Sequence, residues 1–151
     1  MNIIRTWTSF RRFPGGRFLF NKYLESLVPY TGSIRARVLE LSPGCARVEL
    51  RDRRAVRNHL ASIHAVALMN LGEMASGLAL NTNIPPDARA ILVNYSITFS
   101  KKARGTLEAS STCERIVNAD TKEVQVIAEI KDSEDDTVAK VLATWKVSPK
   151  K

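Results

Sequence analysis

The sequence is poor in the residues that build the commonest reactive centres. Its two cysteines, Cys45 and Cys113, stand apart with no Cys-x-x-Cys pair. That excludes a disulfide framework and makes a reducing, cytoplasmic setting the expectation. Cys113 falls in a β-rich run, where it reads as a small packing residue. His59 and His64 are the only histidines. With no further Cys or His beside them, a His59, His64 and Glu73 ligand set lacks its usual members, so no metal and no other cofactor is expected. There is no Gly-rich phosphate loop and no Gly-x-Ser-x-Gly elbow. The N-terminus has no apolar stretch of about 7–15 residues before a small-residue cleavage site, so no secretory leader is expected. The longest apolar segment, 62–80, carries His64, Asn70 and Glu73 among many small residues, which argues against a membrane span.

Charge is present but uneven. The net charge is +8, from 23 Lys+Arg and 15 Asp+Glu. Residues 1–57 hold 12 basic and 4 acidic side chains, whereas 58–151 hold 11 of each. The basicity therefore belongs to the N-terminal third, where it suits nucleic acid, an anionic membrane surface, a phosphorylated small ligand or plain solvation. Against nucleic acid, the N-terminal aromatics fall on an amphipathic helix rather than a stacking platform.

Charge is almost absent from residues 58–86, where Glu73 is the single exception in 29 residues. The surrounding segment, Ser62 to Leu80, is apolar or small on every side and predicts a helix buried all round, with Ser62 as its N-cap. A carboxylate in such a place is costly, and it marks either a helix-to-sheet tie or chemistry.

The rest of the chain reads as helix, two strands, the buried helix and four strands. Phe20, Tyr23, Leu24 and Leu27 give helical spacing over 17–28. Ile34–Leu41 and Ala46–Arg51 alternate about Ser42-Pro43-Gly44-Cys45 and predict a hairpin. Ala88–Ser100, Gly105–Val117, Glu123–Lys131 and Val138–Val147 follow with short connections and predict an antiparallel meander. The acidic 132–136 run reads as a solvated turn. One domain spanning 1–151 is expected, of α+β class.

Asn58, His64 and Glu73 are spaced Asn-x5-His-x8-Glu across the entry to the buried helix. With the strand Val93–Phe99 and the Lys101-Lys102-Ala103-Arg104-Gly105 turn, this pattern resembles the hotdog-fold acyl-CoA thioesterases, in their phenylacetyl-CoA thioesterase-like branch. The likeness covers roughly residues 33–148. It implies a curled antiparallel sheet wrapped around a buried central helix, here with an extra N-terminal helical extension over 1–32. It also implies a homodimer, or a tetramer of paired dimers, acting on acyl-CoA or another acyl thioester. The family's His-Gly-Gly is His64-Ala65-Val66 here, and its usual Asp is Glu73.

Glu73 would be the general base or nucleophile, and the Ala65 and Val66 N–H groups, unpaired in the first helical turn, would hold the oxyanion. Val66 would narrow the acyl tunnel. Asn58 would position thioester or water, and His64 would hold the loop or touch substrate; plain capping and packing are the competing readings of both. Arg51, Arg53, Arg54 and Arg57, with Lys101, Lys102 and Arg104, are candidates for the CoA phosphates. Two alternatives stand beside hydrolysis: a non-catalytic acyl-CoA-binding protein, and a hydroxyacyl-thioester dehydratase using His59 with Glu73. The dehydratase lacks its loop Pro and Gly residues between His59 and Ala65.

Overall fold

The computed structural model describes residues 3–150; Met1, Asn2 and Lys151 lie outside the described residues. Helices α1 (Ile3–Arg11), α2 (Gly16–Leu27) and α3 (Pro29–Gly32) come first. Strands β1 (Arg37–Ser42) and β2 (Cys45–Leu50) precede the long helix α4 (Ala65–Asn81). Strands β3 (Ala88–Phe99), β4 (Leu107–Thr112), β5 (Lys122–Lys131) and β6 (Thr137–Pro149) complete the chain. The expected α+β class and wrapped-sheet architecture are both present: α4 packs against every strand of one six-stranded antiparallel sheet.

The hairpin β1–β2 closes through Pro43-Gly44, with Ser42 opposite Cys45. Gly44 takes φ 76, and a Cβ there would meet Asn83 and the Cys113 carbonyl at 2.5 Å, so glycine is required on both counts.

The strand order is β1-β2-β4-β5-β6-β3, which corrects the expected four-strand meander. Only β4, β5 and β6 follow one another; β3 skips β4 and pairs along its length with β6. The 100–106 connection is a crossover rather than a turn. Its Ala103 carbonyl is held by the Ile63 N–H at 2.8 Å and the Ser62 hydroxyl at 2.9 Å, so the chain is carried past the start of α4 before it enters β4. Beyond Thr112 the backbone leaves the ladder: the Cys113 N–H donates to Gly44 and the Ile116 N–H to Asn83. That is why β4 is shorter than the 105–117 run.

At the N-terminus one helix was expected and three are present. Ile3 and Trp7 of α1 are buried, with Phe10 packed against the core, and Trp7 meets Phe20 edge-on with ring centroids 4.8 Å apart. Phe20 and Leu24 of α2 face the core as their spacing requires, but Leu27 is 45% exposed. Asn21, on the buried side of α2, clasps β1: its Oδ1 accepts the Val38 N–H at 2.7 Å and its Nδ2 donates to the Val38 carbonyl at 3.4 Å.

Helix α4 is buried on most sides but not all. Gly72 lets β3 and β6 approach so closely that a Cβ would lie 2.5 Å from Val141 and 2.8 Å from the Tyr95 hydroxyl. Val66 and Met69 are 48% and 37% exposed. With half-buried Glu73 they form an i, i+3, i+7 stripe left open along the helix.

Candidate active site

His64, not Ser62, caps α4. The Ser62 hydroxyl is taken by Ala103, and His64 has the extended backbone of an N-cap, with its Nδ1 accepting the Val66 N–H at 3.1 Å. Nδ1 is therefore unprotonated and Nε2 carries the proton. The expectation of two free N–H groups is corrected to one. Ala67 donates back to the His64 carbonyl, and of the first three N–H groups of α4, those of Ala65, Val66 and Ala67, only that of Ala65, exposed at the first helical position, has no partner. His64→Ala should cost about 0.5–2 kcal/mol, as loss of a cap does, read from denaturant midpoints.

Asn58 shapes the loop leading into the helix. Its Oδ1 accepts the N–H groups of Leu60 at 2.9 Å and Ser62 at 3.2 Å, and its backbone N–H donates to the Ser62 carbonyl at 2.8 Å. This tight turn carries Ala61 at φ 52. Asn58 thus places the helix start, with its Nδ2 left over as a donor.

Glu73 projects from the middle of α4 into a mainly apolar cleft of about 200 Å³, bounded by Leu24 of α2, Val28 just beyond it, Met74, Gly77 and Leu78 of α4, and Trp145 of β6, with Asn21, Glu25, Thr31 and Asn81 as its polar lining. Among the described residues its carboxylate has neither a hydrogen bond nor an ion pair. Burial raises its pKa above the ordinary carboxylate value. Tyr95 of β3, which no sequence pattern singles out, packs beside it and donates to the Met69 carbonyl at 2.7 Å. Burial first, and then the Glu73 charge, hold the phenol above its ordinary range. Its aromatic place opposite the half-buried Glu73 could be learned only from strand register.

The raised pKa has a sign that can be tested. Folding favours protonated Glu73, so its share of stability is full below the unfolded carboxylate value and is lost as pH rises through the higher folded value. Glu73→Gln should remove that slope, measured as denaturant midpoints across mildly acidic to neutral pH.

The basic candidates divide into two groups. Arg57 is bound to Asp52 at 2.6 Å, and Asp52 also takes the Gly105 N–H. Lys101 is held by Asp132 at 2.7 Å and Asp136 at 2.8 Å. Arg51 pairs with Glu49, and Arg53 donates to the Ser33 carbonyl. Lys102, Arg104 and Arg54 have no side-chain partner among the described residues. Lys102 and Arg104 flank the Ala103 carbonyl that is bound at the start of α4. Val66 lies on the open stripe and does not line the cleft around its own chain's Glu73. His59 is exposed in the turn before α4.

A family model described as a domain of unknown function, DUF4442, matches residues 16–147. The chain belongs to that family. Solved structures extend the likeness of this DUF4442 chain. A structural-genomics protein is 27% identical, with a TM-score of 0.85 over 98% of this chain and 99% of its own. A Pseudomonas aeruginosa protein described as a probable thioesterase is 20% identical, with a TM-score of 0.77 over 83% of this chain and 91% of its own. A point variant of the phenylacetic acid degradation protein of Thermus thermophilus is 24% identical, with a TM-score of 0.65 over 78% of this chain and 97% of its own. The DUF4442 chain therefore has the hotdog fold of these thioesterase-type structures. No curated protein sequence matches it. No helix among the described residues is long and apolar enough to cross a membrane.

Proposed function

We propose that this chain is an acyl thioester hydrolase acting as a homodimer, with acyl-CoA as substrate. The observation that carries the reading is Glu73: a carboxylate without a partner, raised in pKa, at the wall of an apolar cleft. The hotdog fold shared with proteins described as thioesterases supports it.

The chemistry needs a base and an oxyanion donor together. Glu73 lies eight residues beyond Ala65, roughly 12 Å along the helix at about 1.5 Å per residue, whereas attack requires about 3–3.5 Å. One chain cannot close that gap. A second copy with α4 antiparallel to the first brings its Glu73 beside Ala65, and two-fold symmetry makes two such sites. The open stripe of α4 and the unpaired edge of β3, where Ile91 and Val93 are 53% and 48% exposed, support this pairing.

In that arrangement Glu73 takes a proton from water and the oxygen attacks the thioester carbonyl carbon. The carbonyl oxygen becomes an oxyanion on the Ala65 N–H, at the positive end of the helix. Collapse breaks the carbon–sulfur bond, and the thiolate leaves with the proton as a thiol. Asn58 Nδ2 and His64 Nε2 line the approach as donors.

A panel of acyl-CoA esters followed by free-thiol release tests the proposal; tight binding with no release at any chain length would replace it with the binding-protein reading. That second reading has one observation in its favour, the Val66 N–H already spent on His64. For CoA, Lys102→Glu with Arg104→Glu should raise KM for acyl-CoA about tenfold or more and leave a truncated acyl-pantetheine thioester nearly unchanged. Lys101→Ala, whose charge is already compensated, should do much less. Equal shifts for both substrates would return these cations to solvation.

A further inference from the structure

The tip of the α1–α2 helical hairpin presents cations and large apolar side chains in alternation, Arg11-Arg12-Phe13 and Arg17-Phe18-Leu19. All six are exposed, with Phe13 at 68%, Phe18 at 61% and Leu19 at 51%. A folded chain that buries Trp7 and Phe20 one turn away leaves these three in water, and such a cluster marks a surface that meets something apolar.

A groove of about 390 Å³ adjoins the tip, with Arg17, Phe18, Lys22, Arg35, Arg37 and Arg51 on its walls. Its two acidic residues are spent within it, Glu25 on Lys22 at 2.6 Å and Glu49 on Arg51 at 2.9 Å. Arg17, Arg35 and Arg37 are left with no ion pair among the described residues. Arg35 reaches this place through a left-handed backbone, φ 51, a conformation rare outside glycine that concentrates at functional positions. An uncompensated cationic groove beside exposed phenylalanines suits a surface that is anionic outside and apolar just beneath.

We propose that this face docks on an anionic phospholipid membrane. The groove arginines meet lipid phosphates, while Phe13, Phe18 and Leu19 enter the boundary between headgroups and acyl chains. Nucleic acid fits less well. The apolar contacts include an aliphatic side chain, and they stand on a protruding helical tip with no flat stacking platform. Helix α2 borders β1, at the opposite edge of the sheet from β3, so the face stays open when copies meet through β3. The proposal is independent of thioester hydrolysis.

Flotation of the full chain with vesicles of phosphatidylcholine, with and without phosphatidylglycerol, tests it. Binding to the anionic vesicles alone, weakening as salt rises, is expected. Arg35→Gln with Arg37→Gln should lower the partition about 25-fold, about fivefold for each arginine. Phe13→Ser with Phe18→Ser should lower it at least about tenfold. Thermal unfolding of both variants should match the parent, because all four side chains are exposed. Equal flotation with neutral vesicles, no flotation, or indifference to the phenylalanine pair would overturn the proposal. So would binding of a DNA oligonucleotide that the arginine pair abolishes and the phenylalanine pair leaves intact, which would assign the face to nucleic acid.

Discussion

Glu73→Gln is expected to lower kcat for acyl-CoA hydrolysis by about 10²–10⁴-fold, the effect of deleting one general base or nucleophile. The substitution keeps the side-chain volume inside the cleft and relieves a half-buried carboxylate that has no partner. The variant should fold at least as well as its parent at neutral pH, which separates a chemical loss from a structural one. In the parent, the rising limb of the pH–rate profile should lie above the ordinary carboxylate value, because the base works only when ionised and burial raises its pKa. An unchanged kcat in Glu73→Gln would leave the carboxylate a structural role only.

The second large effect is a recovery. Ala65→Pro removes the one open N–H at the start of α4, and proline is well tolerated at this first helical position. The preceding His64 already has φ −64 and ψ 140, the conformation a following proline demands. Ala65→Pro should therefore fold and lack activity, whereas Ala65→Gly should retain it. Mixed with Glu73→Gln protomers, it should regenerate activity, because a heterodimer joins an intact Ala65 to an intact Glu73 at one of its two sites. Demonstrated subunit exchange without activity would refute a site shared between chains. Equal loss in Ala65→Gly and Ala65→Pro would remove the N–H from the mechanism.

What could be read from the residues was what short-range pattern controls. The isolation of Glu73 in an uncharged segment identified both the buried helix and the carboxylate in its cleft, since burial is written in composition. Phe20 and Leu24 gave α2 by spacing, but α1 went unseen although Ile3, Trp7 and Phe10 recur at i, i+4 and i+7, because its mean hydropathy is low and arginines interrupt it. The pairing of β3 with β6 was illegible in principle. Strand order depends on where the 100–106 crossover is anchored, and that anchor is a carbonyl at Ala103 meeting Ile63 and Ser62 forty residues away in sequence. The same contact displaced Ser62 from the cap and handed it to His64. Local capping preference lost to a tertiary hydrogen bond.

Asn21 gives the sheet a direction of growth. Its carboxamide offers Val38 one donor and one acceptor, as a residue of a neighbouring strand would, and so it blocks the β1 margin at Val38 against another chain. The β3 margin has no such stop. At Val38 the β1 margin therefore has no N–H or carbonyl left to offer a further strand. Two copies joined through β3, as proposed above, would both turn this clasped margin outward, which disfavours the repeating edge contact from which a filament is built.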